Sequence, residues 1–380
     1  MTFSLRPFLH ISAALLCLAL CALPVSPVAA KTPTVAFLSP PLERPFWIHL
    51  TQLMQSAADD LGINLVTRAS HHDSESLLQD GMALLNADNQ PDYLVTGFWP
   101  GATEKLMEIG ERRGIKTFLI NTEIDKNLGI GEPRGKYRNW IGHLYPEDVT
   151  TGYQLLDILI RQYSLHATVL KNQPINIIAV SGAPSSPASN FRLSGMKKRV
   201  ATLPDARLLQ ATHCYWDRAC ALSVTADLLE KYPQTAIVWA ASDLLALGAA
   251  DAAKAAGKIP GKDIYIGGID WSPSGLQGVA DGTLSVTLGG HFVEGAWALV
   301  MIFDYDHGID FKQDPGVRSE TRMGAVTANN VETYLKFLAN PDWKRVNFRH
   351  YSKFYNPALK HYHFDIESLF KELTGDSAGN

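Results

Sequence analysis

The chain has 380 residues, with 34 Lys and Arg against 38 Asp and Glu, a formal net charge of −4 and 46% hydrophobic residues. That length suits two or three domains with cores of their own, and the hydrophobic fraction excludes disordered, collagen-like and coiled-coil classes. A slightly acidic chain lacks the basic face that nucleic-acid backbones demand, so no nucleic-acid partner is expected.

Arg6, an apolar stretch from Ile11 to Leu23 and the small residues Val28-Ala29-Ala30 have the pattern of a cleaved export signal over residues 1–30. The apolar run is too short to span a bilayer. Two of the four cysteines, Cys17 and Cys21, fall inside that segment. In an oxidising compartment the remaining pair, Cys214 and Cys220, is either a disulfide closing a small loop or two free thiols.

Four strand-length apolar runs follow: VAFLS (35–39), INLVT (63–67), YLVTG (93–97) and TFLIN (117–121). Between them, Phe46 to Leu61, Ser74 to Asn86 and Thr103 to Arg113 carry apolar residues at helical spacing. This is a βαβ rhythm, which implies a parallel sheet covered on both faces. After a less regular stretch at 129–140 the rhythm restarts with INIIAVSG (175–182), ARLLQAT (206–212), AIVWA (236–240), IYIGGID (264–270) and LSVTL (284–288). Helices are predicted from Asn190 to Leu203, Ala219 to Lys231 and Leu244 to Ala256. The fold class is therefore α/β, with two doubly wound parallel-sheet lobes joined by a hinge. Such sheets bind ligands at the carboxyl ends of their strands. The segment 341–364 is aromatic, basic and His-rich; it is either a partner surface or a tail packed back on a lobe.

Phosphate-binding glycine loops, a GxSxG elbow and an HExxH helix are absent from the sequence. His71-His72-Asp73 reads as a solvated loop rather than a metal site, and His361 with His363 has no identifiable carboxylate or Cys partner. No metal, no cofactor and no catalytic residue are expected. The rival from another class is a secreted glycosidase using Asp243 and Asp270 as its two carboxylates.

The segment SPPLERPFWIHLTQLMQSAADDLG (39–62) places a polar loop and Pro-Phe-Trp between a strand and a helix. With WAASDLLALGAADAAKAAG (239–257) and IYIGGIDWSPSGLQGVADGTLSVTL (264–288), it resembles the ribose-binding type of periplasmic solute-binding protein, in the right order through about residue 330. The segments PDYLVTGFW, IKTFLIN and YRNWIGHLYPEDVTTGYQL are similar to the sensor-coupled branch that contains the autoinducer-2 receptor. That branch uses a second Arg near an inter-lobe crossing, where this chain reads LGGHFVEG.

The resemblance implies a periplasmic, monomeric binding protein that closes on a small sugar-like ligand and presents it to an ABC importer, or alternatively to a membrane sensor kinase or cyclase. It implies lobes formed by residues 31–143 with 291–318 and by 144–290 with 319–340, a C-terminal extension at 341–380, and crossings near His143, His291 and Arg318. Sugar recognition needs aromatic faces for C–H patches and planar polar groups for hydroxyls. The expected ligand residues are Arg44, Phe46 and Trp47 after the first strand, Asn121 after the fourth, and Arg192, whose planar fork suits neighbouring oxygens. In the second lobe they are Trp216 beside the cysteine pair, Ser242 and Asp243 at a helix start, and Asp270 and Trp271 after a strand. Each also has a plain structural alternative, such as helix capping for Asp243. His291 is expected to be a hinge residue. Two carboxylates, an Arg and several aromatic rings point to a neutral polyhydroxylated ligand.

Overall fold

Short apolar strands that alternate with amphipathic helices assemble here into two six-stranded sheets. The computed structural model describes residue 1 and residues 32–71, 73–166 and 174–374. The expected export signal, apart from Met1, and His72 lie outside the described residues. From Pro33 onward the described residues form one compact unit.

The first lobe opens with β1 (Thr34–Ser39), α1 (Pro45–Leu61), β2 (Asn64–Ala69), α2 (Ser74–Asn86), β3 (Tyr93–Thr96), α3 (Ala102–Arg113), β4 (Lys116–Leu119) and β5 (Trp140–Pro146). The second has α4 (Asp148–His166), β6 (Ile175–Ser181), α5 (Pro187–Ala201), β7 (Ala206–His213), α6 (Arg218–Lys231), β8 (Ile237–Ala240), α7 (Asp243–Ala255), β9 (Tyr265–Ile269), α8 (Pro273–Ala280) and β10 (Val286–Gly289). The chain then crosses to α9 (Glu294–Asp306) and β11 (Arg318–Thr321), recrosses to β12 (Gly324–Val326) and α10 (Val331–Leu338), and ends in α11 (Ile366–Thr374).

Sheet order is β11-β5-β4-β3-β1-β2 in one lobe and β12-β10-β9-β8-β6-β7 in the other. Every pairing is parallel except that of β12 with β10. Central strands of parallel sheets are covered on both faces and so run nearly continuously apolar; Val35, Phe37, Leu38 and Val95 are fully buried, as are Ile178, Val238 and Ile266. The helices follow local rules. In α1, Pro45 sits in the first turn, Leu50, Leu53, Met54, Ala57 and Leu61 form the buried stripe, and Gly62 ends the helix in the left-handed conformation at φ 73°.

The expected crossings shift slightly. His143 and Arg318 pair with each other inside the first sheet, so the chain leaves that sheet only after Pro146 and again after Thr321. The largely apolar α9, buried from Glu294 to Asp304, lies against α1. The aromatic segment beyond residue 340 packs back on this lobe: Trp343, Phe348 and Tyr351 are buried, and Phe364 stacks on Trp297 of α9 at 4.9 Å. Buried Asp304 of α9 fastens it by accepting hydrogen bonds from the Lys353 amide at 2.7 Å and the Tyr362 hydroxyl at 2.7 Å. Among the described residues no helix is long and apolar enough to cross a membrane.

Helices α4 and α5 touch through glycines. A Cβ on Gly195 would stand 1.9 Å from the Val149 carbonyl oxygen, and one on Gly152 would stand 1.9 Å from that of Arg192. Both obstacles are backbone, which cannot swing aside. Gly195→Ala is therefore expected to destabilise the protein by about 1–3 kcal/mol, the usual cost of overpacking, read as a lowered urea midpoint with unchanged slope.

Candidate ligand-binding cleft

The carboxyl ends of the strands in both sheets surround one cavity of about 450 Å³. The first lobe contributes Arg44, Phe46 and Trp47 after β1, Asp73 after β2, Phe98 and Trp99 after β3, and Asn121 and Thr122 after β4. The second contributes Ser185 and Ser186 after β6, Arg192 from α5, Tyr215 and Trp216 after β7, Ser242 after β8, and Asp270 and Ser272 after β9. His291, at the middle crossing, completes the wall.

Backbone strain aims several of these side chains. Asn121 (φ 60°), Tyr215 (φ 48°), Trp216 (φ 62°) and Asp270 (φ 134°) all occupy the left-handed region. Side chains with a Cβ rarely adopt it, and each such residue costs on the order of 1–3 kcal/mol that surrounding contacts must offset. The Asn121 amide is held by Glu294 Oε2 at 2.6 Å, and that of Asp270 by the Leu288 carbonyl at 2.6 Å. The Cys214–Cys220 disulfide closes the loop that carries Trp216. The indole lies against Gly182, where a Cβ would fall 2.2 Å from its ring.

Arg192 is the polar centre. Its Nε donates to Asp148 Oδ1 at 2.7 Å, Nη1 donates to the Ala241 carbonyl at 2.9 Å, and Nη1 also stands 3.6 Å from Asp270 Oδ1. Burial alone would depress its pKa, but Asp148 and Asp270 outweigh that and hold the guanidinium above its ordinary value. Burial raises the pKa of Asp148, opposed by Arg192, with which it makes a 2.7 Å ion pair. Nη2 lies 3.3 Å from His291 Nε2. A guanidinium only donates, so Nε2 accepts and the ring carries its proton on Nδ1. Burial, with Arg192 nearby, keeps this imidazole well below its ordinary pKa and hence neutral. Phe46 stacks on the ring at 4.5 Å.

A periplasmic binding protein domain matches residues 35–305 of this chain. The chain belongs to the periplasmic binding protein family. It is similar to a periplasmic sugar-binding protein from Pseudomonas fluorescens, at 31% identity over 89% of this chain and 99% of that one, with a TM-score of 0.81. It is 26% identical to the ribose import binding protein of Escherichia coli (strain K12), over 70% of this chain and 81% of the relative. Identity to the fructose import binding protein of Bifidobacterium longum (strain NCC 2705) is 25%, over 76% and 84%.

Eight of the ten residues singled out in this binding protein reach the cavity wall; Asp243 and Trp271 do not. Asp243 is buried behind the wall, where it accepts from the Ser272 amide and hydroxyl, each at 2.9 Å, and from the Thr287 hydroxyl at 2.6 Å. It fills space left by Gly268 and Gly275, whose Cβ atoms would approach it to 2.6 and 2.1 Å. Ser242, not Asp243, caps α7. Trp271 is 1% exposed and lies under the inter-lobe crossings, with Gly289, Gly290 and Gly324 leaving room for its ring. Its backbone is left-handed, at φ 53°.

Trp99 and Asp148 were not singled out. The rule that strand ends carry ligand contacts already pointed to Trp99, two residues beyond Gly97. Asp148 opens α4 and meets Arg192 only through folding. His291 belongs to the wall as well as to the crossing. Asp73 caps α2 by accepting from the Ser76 amide at 2.7 Å, while His361 contacts Asp314 at 3.3 Å, in the C-terminal segment.

Glu294 lies at the hinge, wholly buried, with Oε1 lacking a partner. Burial pushes its carboxyl up to about 8. A carboxyl raised in the folded state stabilises below its unfolded pKa of about 4.3, and that contribution fades as pH climbs through the folded value. Glu294→Gln, a mimic of the protonated form, is expected to raise the melting temperature by a few degrees at pH 9 and by less at pH 5. Thermal melts across this range, equal at both ends, would remove the assignment.

Proposed function

We propose that the protein captures a small polyhydroxylated ligand, a sugar, between its lobes, closes on it by hinge motion, and presents it to an ABC importer. It acts in the periplasm, as a monomer, without a catalytic step. One observation carries this reading: strand ends of both sheets converge on a single cavity whose polar centre, Arg192 with Asp148 and Asp270, is flanked by aromatic rings. Phe46, Trp47, Trp99 and Trp216 offer faces for sugar C–H patches, and Arg44, Asn121, Arg192, Ser242 and Asp270 offer groups for hydroxyls. The relatives named for ribose and fructose import support the ligand class and the importer. Two-carboxylate hydrolysis has little support, because Asp243 does not share the cavity wall with Asp270.

Native mass spectrometry and calorimetry of the mature protein with D-ribose, D-fructose and D-allose test this reading. A saturating sugar, at about 100 times its dissociation constant, adds roughly 2.7 kcal/mol of stability. Asp270→Asn is expected to weaken binding by about ten- to a hundredfold, as for a lost hydrogen bond to a charged group. An unaltered affinity would show that the ligand sits elsewhere.

A further inference from the structure

Most charged groups facing the cavity are already engaged. Arg192 is held by Asp148 and Asp270, and the Asp73 side chain is committed to capping α2. Arg44 is the exception: among the described residues no carboxylate lies within ion-pair distance of its guanidinium, although it lines the cavity. It is partly buried, and that burial depresses its pKa, opposed only in part by the more distant charges of Glu43, Asp217 and Asp270.

Its position makes the missing partner more telling. Arg44 is the N-cap residue of α1, where it makes no side-chain capping hydrogen bond, and the first turn holds no acidic residue. A helix start carries roughly half a positive charge and unpaired amide donors. A cation there has the wrong sign unless an anion joins it. Two residues along, Phe46 stacks on His291, whose buried Nδ1 has no partner. With Nε2 accepting from Arg192, that Nδ1 carries the ring proton, so the residue stacked beside this end of the cavity holds a buried donor without an acceptor.

We propose that the ligand is an acidic sugar, a uronic or aldonic acid, whose carboxylate pairs with Arg44 at the start of α1. This rests on the sugar-binding reading above and narrows its substrate class. A carboxylate matches the guanidinium fork with two parallel hydrogen bonds. A phosphate dianion fits less well, because Glu43, Asp217 and Asp270 already act on the same cation.

Calorimetry of the dialysed mature protein would compare D-glucose with D-glucuronate and D-galactose with D-galacturonate, with D-glucose 6-phosphate as a further probe. At least one uronate is expected to bind tenfold or more tightly than its neutral partner. Arg44→Gln should erase that preference, while Arg44→Lys, keeping the charge but not the fork, should retain part of it; melting curves confirm that both variants fold. Equal or tighter binding of the neutral sugars would overturn the acidic ligand while leaving the sugar-binding reading intact. An acid preference that survives Arg44→Gln, or tightest binding of the phosphate, would also overturn it. Binding of neither class, with D-ribose, D-fructose and D-allose failing as well, would sink both readings.

Discussion

A guanidinium cannot shed its proton, so burying Arg192 obliges the cleft to be built around one permanent charge. Breaking such a pair costs about 3–5 kcal/mol, because the survivor is left uncompensated. That constraint reaches every element at the cleft floor. Asp148 must begin α4 where it does, and α4 must lie close enough to α5 to deliver it. The glycines at 152 and 195 permit that approach. The Ala241 carbonyl supplies an acceptor from the end of β8, and His291 brings the hinge crossing into the same network. One side chain thus connects two strand ends, two helices and the segment that joins the lobes.

Around this anchor the cleft is shaped by strain and by omitted side chains. Five residues in left-handed conformation stand at strand ends, where helix and sheet hydrogen bonding have both stopped and amides are free to be held by other groups. Glu294 and Leu288 hold two of them. Elsewhere glycines make room: beneath Trp216, around Asp243, and at the crossings over Trp271. The Trp271 indole thus sits in a notch lined by three glycines where the chain crosses between the lobes.

The fold was legible because parallel sheets write themselves as apolar runs alternating with amphipathic helices. β1, β3, β6 and α2 fall within a residue or so of the expected limits. β5, WIGHLYP, was not, since glycine, histidine and proline interrupt its apolar pattern. α9 was hidden for the opposite reason: it is buried all round from Glu294 to Asp304, and a helix without a polar face has no period to detect. At the site, position relative to a strand end identified Arg44, Phe46, Trp47, Asn121, Trp216, Ser242 and Asp270 as cavity-facing residues. The same rule failed for Trp271, because its ring packs into the space that Gly289, Gly290 and Gly324 leave at the crossings rather than into the cavity. Asp148 could not be found in this way, since what defines it is a partner 44 residues along the chain.

The C-terminal segment has a consequence for how the molecule is made. It covers α1, and Arg349 Nε donates to the Asp60 carbonyl at 2.9 Å across 289 positions of sequence. Contacts of such separation form late, because the intervening chain must be ordered before they can repay the entropy of closure. The outer face of one of the first helices synthesised therefore stays bare until the last aromatic residues arrive. During that interval the surface that Trp343, Phe348 and Tyr351 will cover is available to chaperones and to other copies of the chain.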